Sequence, residues 1–352
     1  MLNKVWVLPL SLFFLVACSS SSHSLSTTTD GHSILYVSDS HKIDIVDVDT
    51  NKNNIINNSI FIQSLNYDKE KKRIVAPGYS PEEKFLGLLF VEGTDLKKKS
   101  TSPFAPIHLY QYGNTYVMDS AQVLKDGKID ITQIGVYNSS TESMIKLLQV
   151  PGIVKDIIGF GSKAYISSYL SPESTQNEGV PPKSNIYELD LHSYKLRPIF
   201  HQDQKFVPFR LLFHDGYLYG VYQSANNVPI EAPQNQLIKI DPQKGVIEKT
   251  VQLPIFAKDM TLSSDGKSIF VTHFDQWGSQ DLLEKPLSKV DLSTFQVDEL
   301  TYPIRAVSLV SLNGKLYVGN SIDRNIVVID EKTFKVEKTI QAEIPAMYMV
   351  KN

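Results

Sequence analysis

The chain has 352 residues, 42% of them apolar and 10% aromatic, enough for a packed core and against wholesale disorder. Its formal net charge of -3 lacks the basic excess expected of a nucleic-acid binder or of attachment through a polybasic patch. The lone cysteine, Cys18, excludes disulfides, cysteine-based zinc sites and a catalytic thiol in the folded part.

Residues 1–17 carry a lysine, an apolar run from Val5 to Leu15, and then Val16-Ala17. This is the pattern of a secretory signal peptide, and the run is shorter than the roughly 20 apolar residues of a transmembrane helix. Leu15-Val16-Ala17-Cys18 resembles the lipobox of bacterial lipoproteins. The resemblance implies cleavage before Cys18, acylation of its thiol with palmitate-type chains, and tethering on the extracytoplasmic side of the cell membrane. Where the organism has an outer membrane, Ser19 resembles a signal for sorting to it. Acyl chains add roughly 0.8 kcal/mol per buried methylene, so about two or three suffice for stable anchoring. Residues 18–32 read as the anchor and a Ser/Thr-rich flexible leash, with the fold expected over 33–352.

From residue 33 a strand grammar repeats with a period of roughly 40 to 50 residues, the mark of a repeat architecture. The first copy reads Leu35-Tyr36-Val37-Ser38-Asp39 and then Ile45 to Asp49. The last reads Leu316-Tyr317-Val318-Gly319-Asn320 and then Ile326 to Asp330. Further copies centre on Tyr165, Tyr219 and Phe270, and two degenerate ones span 71–100 and 114–148. Each piece is short, rich in Val, Ile, Leu and Tyr, and bounded by turn residues, as strands are. A segment led by proline precedes most copies and ends in a hairpin signal such as Asp215-Gly216 or Asn313-Gly314. Asp49, Asp190, Asp241, Asp291 and Asp330 fall where a strand meets a tight turn, and are expected to accept backbone N–H bonds there.

The first copy lacks its proline-led strand, and the chain ends in one, Ile344 to Val350. Joining the two closes a ring of seven four-stranded antiparallel blades, an all-β propeller with no open edge between its first and last blades. The Tyr-Val-Gly-Asn and Phe-Val-Thr-His strands, with their Ile-Asp and Val-Asp followers, resemble the YVTN family of seven-bladed propellers over roughly residues 33–350. WD dipeptides are absent and Trp277 is the one tryptophan beyond the signal peptide, which disfavours WD40 and tryptophan-docked propellers.

Long second-to-third-strand loops in blades four to six carry polar residues beside Tyr169, Tyr222, His273, Phe274 and Trp277, a composition suited to recognition. Aligning the hairpin glycines puts Asp156, Arg210, Met260 and Ser308 at one level of the innermost strands, with Lys155, Asp259 and Arg305 close by. Asp156, Arg210, Asp259 and Arg305 would then form a charged channel mouth, either a ligand site or a salt-bridge ring filling the channel. No metal-ligand spacing, nucleophile elbow or phosphate-binding glycine loop occurs, so no catalytic residue, metal or cofactor is expected. The sequence therefore predicts a monomeric, membrane-anchored binding or scaffold propeller for a protein or small ligand. The alternative, carried by fold analogy alone, is a lactonase- or lyase-like enzyme using the channel mouth.

Overall fold

The computed structural model describes residues 32–352 except 101–104, 121–122, 126–127, 142, 171–182, 203–207, 223–234 and 275–283. Signal peptide, Cys18, the leash up to residue 31, Trp277 and most of the three long loops lie outside the described residues. Among those described, no helix is long and apolar enough to cross a membrane.

Seven antiparallel sheets form the blades of a β-propeller. Blades four to seven are consecutive four-stranded meanders, as in blade seven: Ala306–Leu312, Lys315–Asn320, Asn325–Asp330, Lys335–Gln341. Blade two breaks its innermost strand into Phe61–Ile62 and Asn66–Asp68, and blade three adds the short strand Val123–Lys125. Blade one takes three strands from the N-terminal side and its innermost strand, Tyr348–Lys351, from the C-terminus. That strand pairs antiparallel with Ile34–Ser38, Tyr36 facing Val350 and Ser38 facing Tyr348.

The second strands are buried on both faces because successive side chains point toward different neighbouring blades. Ile34 and Tyr36 pack with Ile60, Ile74 and Leu89 of blade two, while Leu35 and Val37 pack with Val310, Tyr317 and Val328 of blade seven. Seven such clusters fill the seven seams between blades. Outer strands, half in water, read apolar–polar instead: Val336 and Ile340 face inward with Glu337 and Lys338 exposed between them.

Turn chemistry fixes the register. Asp190, Asp241, Asp291 and Asp330 accept N–H bonds of 2.7–3.1 Å from residues two or three further on. In blade one this role falls to Asp47, whose Oδ1 accepts from Asp49 and Thr50, whereas Asp49 accepts from Ser33. The strand ends at Asp47, two residues before the expected turn aspartate. Blade three, which lacks the aspartate, uses Asn138 with bonds from Ser140 and Thr141. These bonds, led by Ser293, hold the Asp291 carboxyl down at about 2. Four residues beyond each third-strand aspartate the backbone turns left-handed, at Asn51, Tyr194, Gly245, Phe295 and Phe334. Only blade five requires glycine for space as well, because a Cβ at Gly245 would collide with the Ile199 carbonyl oxygen.

Several contacts hold the closing segment. Ser308 Oγ donates to the Ala346 carbonyl at 2.7 Å, Met347 N–H to the Ser38 carbonyl at 3.0 Å, and Glu343 N–H to Asp44 Oδ2 at 2.8 Å. Ile344 and Ala346 are buried in the blade seven–blade one seam. Removing residues 343–352 should therefore open blade one and uncover that seam. Thermal unfolding is expected to lose cooperativity or shift down by more than about 10 °C; a midpoint within a few degrees of wild type would show that closure does not carry the ring.

Asp44 is fully buried, and its Oδ1 has no hydrogen-bond partner among the described residues. Burial pushes its carboxyl up to about 6, against the opposing Glu343 N–H bond. The folded form thus binds the proton more tightly than the unfolded chain, so this group's stabilisation is present at low pH and lost as pH rises through about 6. Asp44→Asn should raise stability by about 1–3 kcal/mol at neutral pH and leave it nearly unchanged under acid conditions. Urea unfolding at both pH values checks the difference.

Candidate functional site

The innermost strands converge on the ring axis, and bulges aim their side chains there. Register shifts fall between Val154 and Asp156, Pro208 and Arg210, Ala257 and Met260, and Ala306 and Ser308. A bulge bends the strand and re-aims the residue beside it. Asp156 then faces Ser167, Arg210 faces Val221, Ser308 faces Gly319 and Tyr348 faces Ser38, all at the same level of the second strand. In blade six this level belongs to Asp259, whose N–H donates to Thr272 Oγ1 at 3.1 Å, and not to Met260. The blade-six hairpin closes through Ser263 and Ser268 around four residues instead of two, which displaces an alignment made on its glycine. His108 in blade three and Ser64 in blade two complete the ring.

These seven residues line one half-open cavity of about 330 Å³ with contributions from every blade. It lies toward the starts of the innermost strands, hence on the face of the blade-to-blade connections and second-to-third-strand loops. Leu109, Ile157, Leu309 and Met349 also border it, although the side chains of the first three pack in the seams between blades.

Charge is concentrated on one side. The Arg210 guanidinium sits between two carboxylates, Nη1 3.4 Å from Asp156 Oδ1 and Nε 3.5 Å from Asp259 Oδ1. Asp156 also accepts N–H bonds from Leu211 at 2.7 Å and Ile157 at 3.0 Å, so it ties blade four to blade five. Asp259 accepts from Met260 at 3.0 Å. Burial opposes the charge on Arg210, but Asp156 and Asp259 outweigh it and hold its pKa above the ordinary value. Burial raises the Asp259 carboxyl against the pull of Arg210. Lys258, its ammonium 4.9 Å from the Phe274 ring centre, is pushed down to about 8 by burial and by the Arg210 charge. In blade three, next to blade four, His108 Nδ1 lies 3.0 Å from Asp119 Oδ2. Burial disfavours the imidazolium, yet Asp119 raises its pKa overall.

The structure thus brings Asp156, Arg210 and Asp259 together. Arg305 is not among the residues lining the cavity, and its buried Nε has no hydrogen-bond partner among the described residues. Lys155 also lies off the lining, its pKa lowered by burial. On the loop side, Tyr169 is half-buried and Phe274 lies under Lys258. Tyr222 is buried in the blade four–blade five seam, where burial raises its hydroxyl pKa. His273 is buried too. Its Nδ1–H donates to the Ile255 carbonyl at 3.2 Å, so Nε2 accepts from Ser288 Oγ at 2.8 Å. Burial drives its pKa down to about 4 and keeps the ring neutral. Neither Tyr222 nor His273 is presented to solvent in this structure.

Sequence reasoning missed His108, Asp119, Lys258, Ser64 and Tyr348. Five residues before the hairpin glycine Gly113, the spacing that separates Gly161 from Asp156 in blade four, stands His108. Tyr348 becomes visible only with the closing strand in register. Among the described residues, three potential metal donors come together at His32, Asp47 and Asp49, away from the channel. The Asp47 and Asp49 carboxylates there already accept backbone N–H bonds.

No protein-family model matches the chain, and no curated protein matches it. Solved structures do. A functionally unknown protein from Desulfotomaculum acetoxidans superposes with a TM-score of 0.61 at 12% identity, covering 90% of this chain and 98% of that one. Kuenenia stuttgartiensis hydrazine synthase gives 0.60 at 12% identity over 82% and 88% of the two chains. Apo AztD from Citrobacter koseri gives 0.56 at 14% identity over 91% and 98%. At these identities the likeness establishes the propeller fold.

Asp156 holds both the Leu211 N–H and the Arg210 charge. Asp156→Ala should destabilise the fold by roughly 2–4 kcal/mol, because it leaves a buried donor unpaired and removes one of the two carboxylates that flank Arg210. Denaturant unfolding measures this, and a loss under about 0.5 kcal/mol, as at an ordinary surface site, would assign Asp156 no structural role.

Proposed function

We propose that this protein is a lipid-anchored, extracytoplasmic binding propeller that receives its partner or ligand on the face holding the channel mouth. The observation that carries this reading is the half-open polar cavity to which all seven blades contribute, on the same face as the connections of blades four to six. Pockets of this size that join a few convergent polar groups to apolar walls are typical ligand sites. The anchoring part rests on the signal-peptide pattern of residues 1–17 and on the likeness of Leu15-Val16-Ala17-Cys18 to a lipobox. Membership of the YVTN propellers rests on the Tyr-Val-Gly-Asn and Phe-Val-Thr-His strands.

A tethered ring suits capture at a membrane, since its channel face needs no freedom to diffuse. Two measurements on cells producing the full chain test the reading. Cys18→Ala should abolish palmitate labelling and move the protein from the membrane fraction to the soluble one; retention in the membrane would remove the lipid anchor. Shortening 171–182 together with 224–234 should cut cross-linked partner recovery by about tenfold, a loss of about 1.4 kcal/mol in binding. Unchanged recovery would take the loop face out of the reading.

A further inference from the structure

Arg210 is under-used. A guanidinium offers five N–H donors, yet among the described residues Arg210 makes one hydrogen bond, at 3.4 Å to Asp156 Oδ1. Its Nε is buried with no hydrogen-bond partner, the 3.5 Å approach to Asp259 being an ion pair only. Charge-assisted bonds of this kind normally close to about 2.7–2.9 Å. The flanking carboxylates are committed elsewhere, Asp156 to two backbone N–H groups and Asp259 to one. They position the guanidinium while leaving much of its donor fork to the cavity.

A second cation stands beside it. Lys258 and Asp259 sit in the bulge between Ala257 and Met260, and both line the cavity. Burial is the main cause of the lowered Lys258 pKa, but the Arg210 charge adds to it, and an anion between the two cations relieves that repulsion. Asp259 Oδ2 has no protein partner among the described residues and remains able to accept a bond from a ligand.

Resting on the reading of the channel mouth as a binding site, we propose that it takes a small carboxylate-bearing ligand. Arg210 and Lys258 hold the carboxylate, and Asp259 accepts from a hydroxyl or ammonium group on the same molecule. The planar two-oxygen anion matches the guanidinium fork, whereas a lysine supplies only a point charge. Two aspartates at the site disfavour a dianion such as phosphate or sulfate. A metal ion does not fit, because the Arg210 cation lies between the two carboxylates.

Calorimetric titration of the full-length protein in detergent solution, with glycine, lactate, acetate, inorganic phosphate and sulfate as probes, tests this. Glycine or lactate is expected to bind about tenfold more tightly than acetate or phosphate. Arg210→Gln, Arg210→Lys and Lys258→Gln should each weaken that binding by about tenfold while thermal unfolding stays cooperative. Should Arg210→Gln fail to fold, Lys258→Gln and Arg210→Lys decide the matter. Binding of no carboxylate below about 10 mM overturns the proposal, as does equal binding of phosphate or full retention of affinity in Arg210→Lys. If partner capture still depends on the loop segments in that case, the binding-propeller reading stands and the carboxylate assignment alone falls. If both fail, the reading falls with it.

Discussion

The structure depends on one constraint: every blade must bury both faces of its sheet, and a row of such sheets can do so without exposed end faces only by closing on itself. The pairing of Tyr348–Lys351 with Ile34–Ser38 meets that constraint. Without it blade one would lack its innermost strand, and Leu35, Val37 and Val46 would lose part of their seam with blade seven. Ser308, Met347 and Asp44 all bond across this closure. Gly319 belongs to it too, because a Cβ there would collide with Ala346. Asp44 on blade one's third strand and Gly319 on blade seven's second thus share one mechanical unit with the last strand of the chain.

The same closure makes the channel. Convergence of the innermost strands brings side chains from every blade to one axis, where the sheets' apolar periodicity no longer has a seam to fill. Polar groups gather there, and each charge is held by a specific device. Asp156 is held by N–H groups of its own and the next blade, Arg210 by two carboxylates, and His108 by Asp119. Burying charge is costly unless it is paired, so this arrangement contributes to how the blades register as well as to what the cavity can hold. Asp44 at the closure and Asp259 in the channel have raised carboxyl pKa values mainly through burial.

Much of the fold was legible because its signals are local. Alternation within Val336 to Ile340, the Asp-Gly and Asn-Gly hairpins, and the strand-ending aspartates each act over a few residues, and repetition multiplies them. Where the local signal was ambiguous, the reading slipped by short distances. Asp49 stood in for Asp47 because both sit in the same alternating run and pairing alone decides where the strand ends. Met260 stood in for Asp259 because a four-residue hairpin cannot be told from a two-residue one by its glycine. Asn138 was missed because it does an aspartate's work with a different side chain.

By itself the sequence determined that this chain builds short antiparallel strands in repeating units, seven in number, with its last strand completing its first blade. Those outcomes follow from hydrophobic period and turn chemistry, which the neighbouring residues carry. Only the tertiary structure decided which side chains face water, which face a seam and which face the axis. His273 and Tyr222 read as loop residues yet are buried, because the blades on either side cover them. His108, Lys258 and Tyr348, far apart along the chain, meet Arg210 at one cavity because bulges and ring closure bring them there. Burial and convergence are properties of the assembled ring, set by how seven twisted sheets pack, and no stretch of sequence contains them.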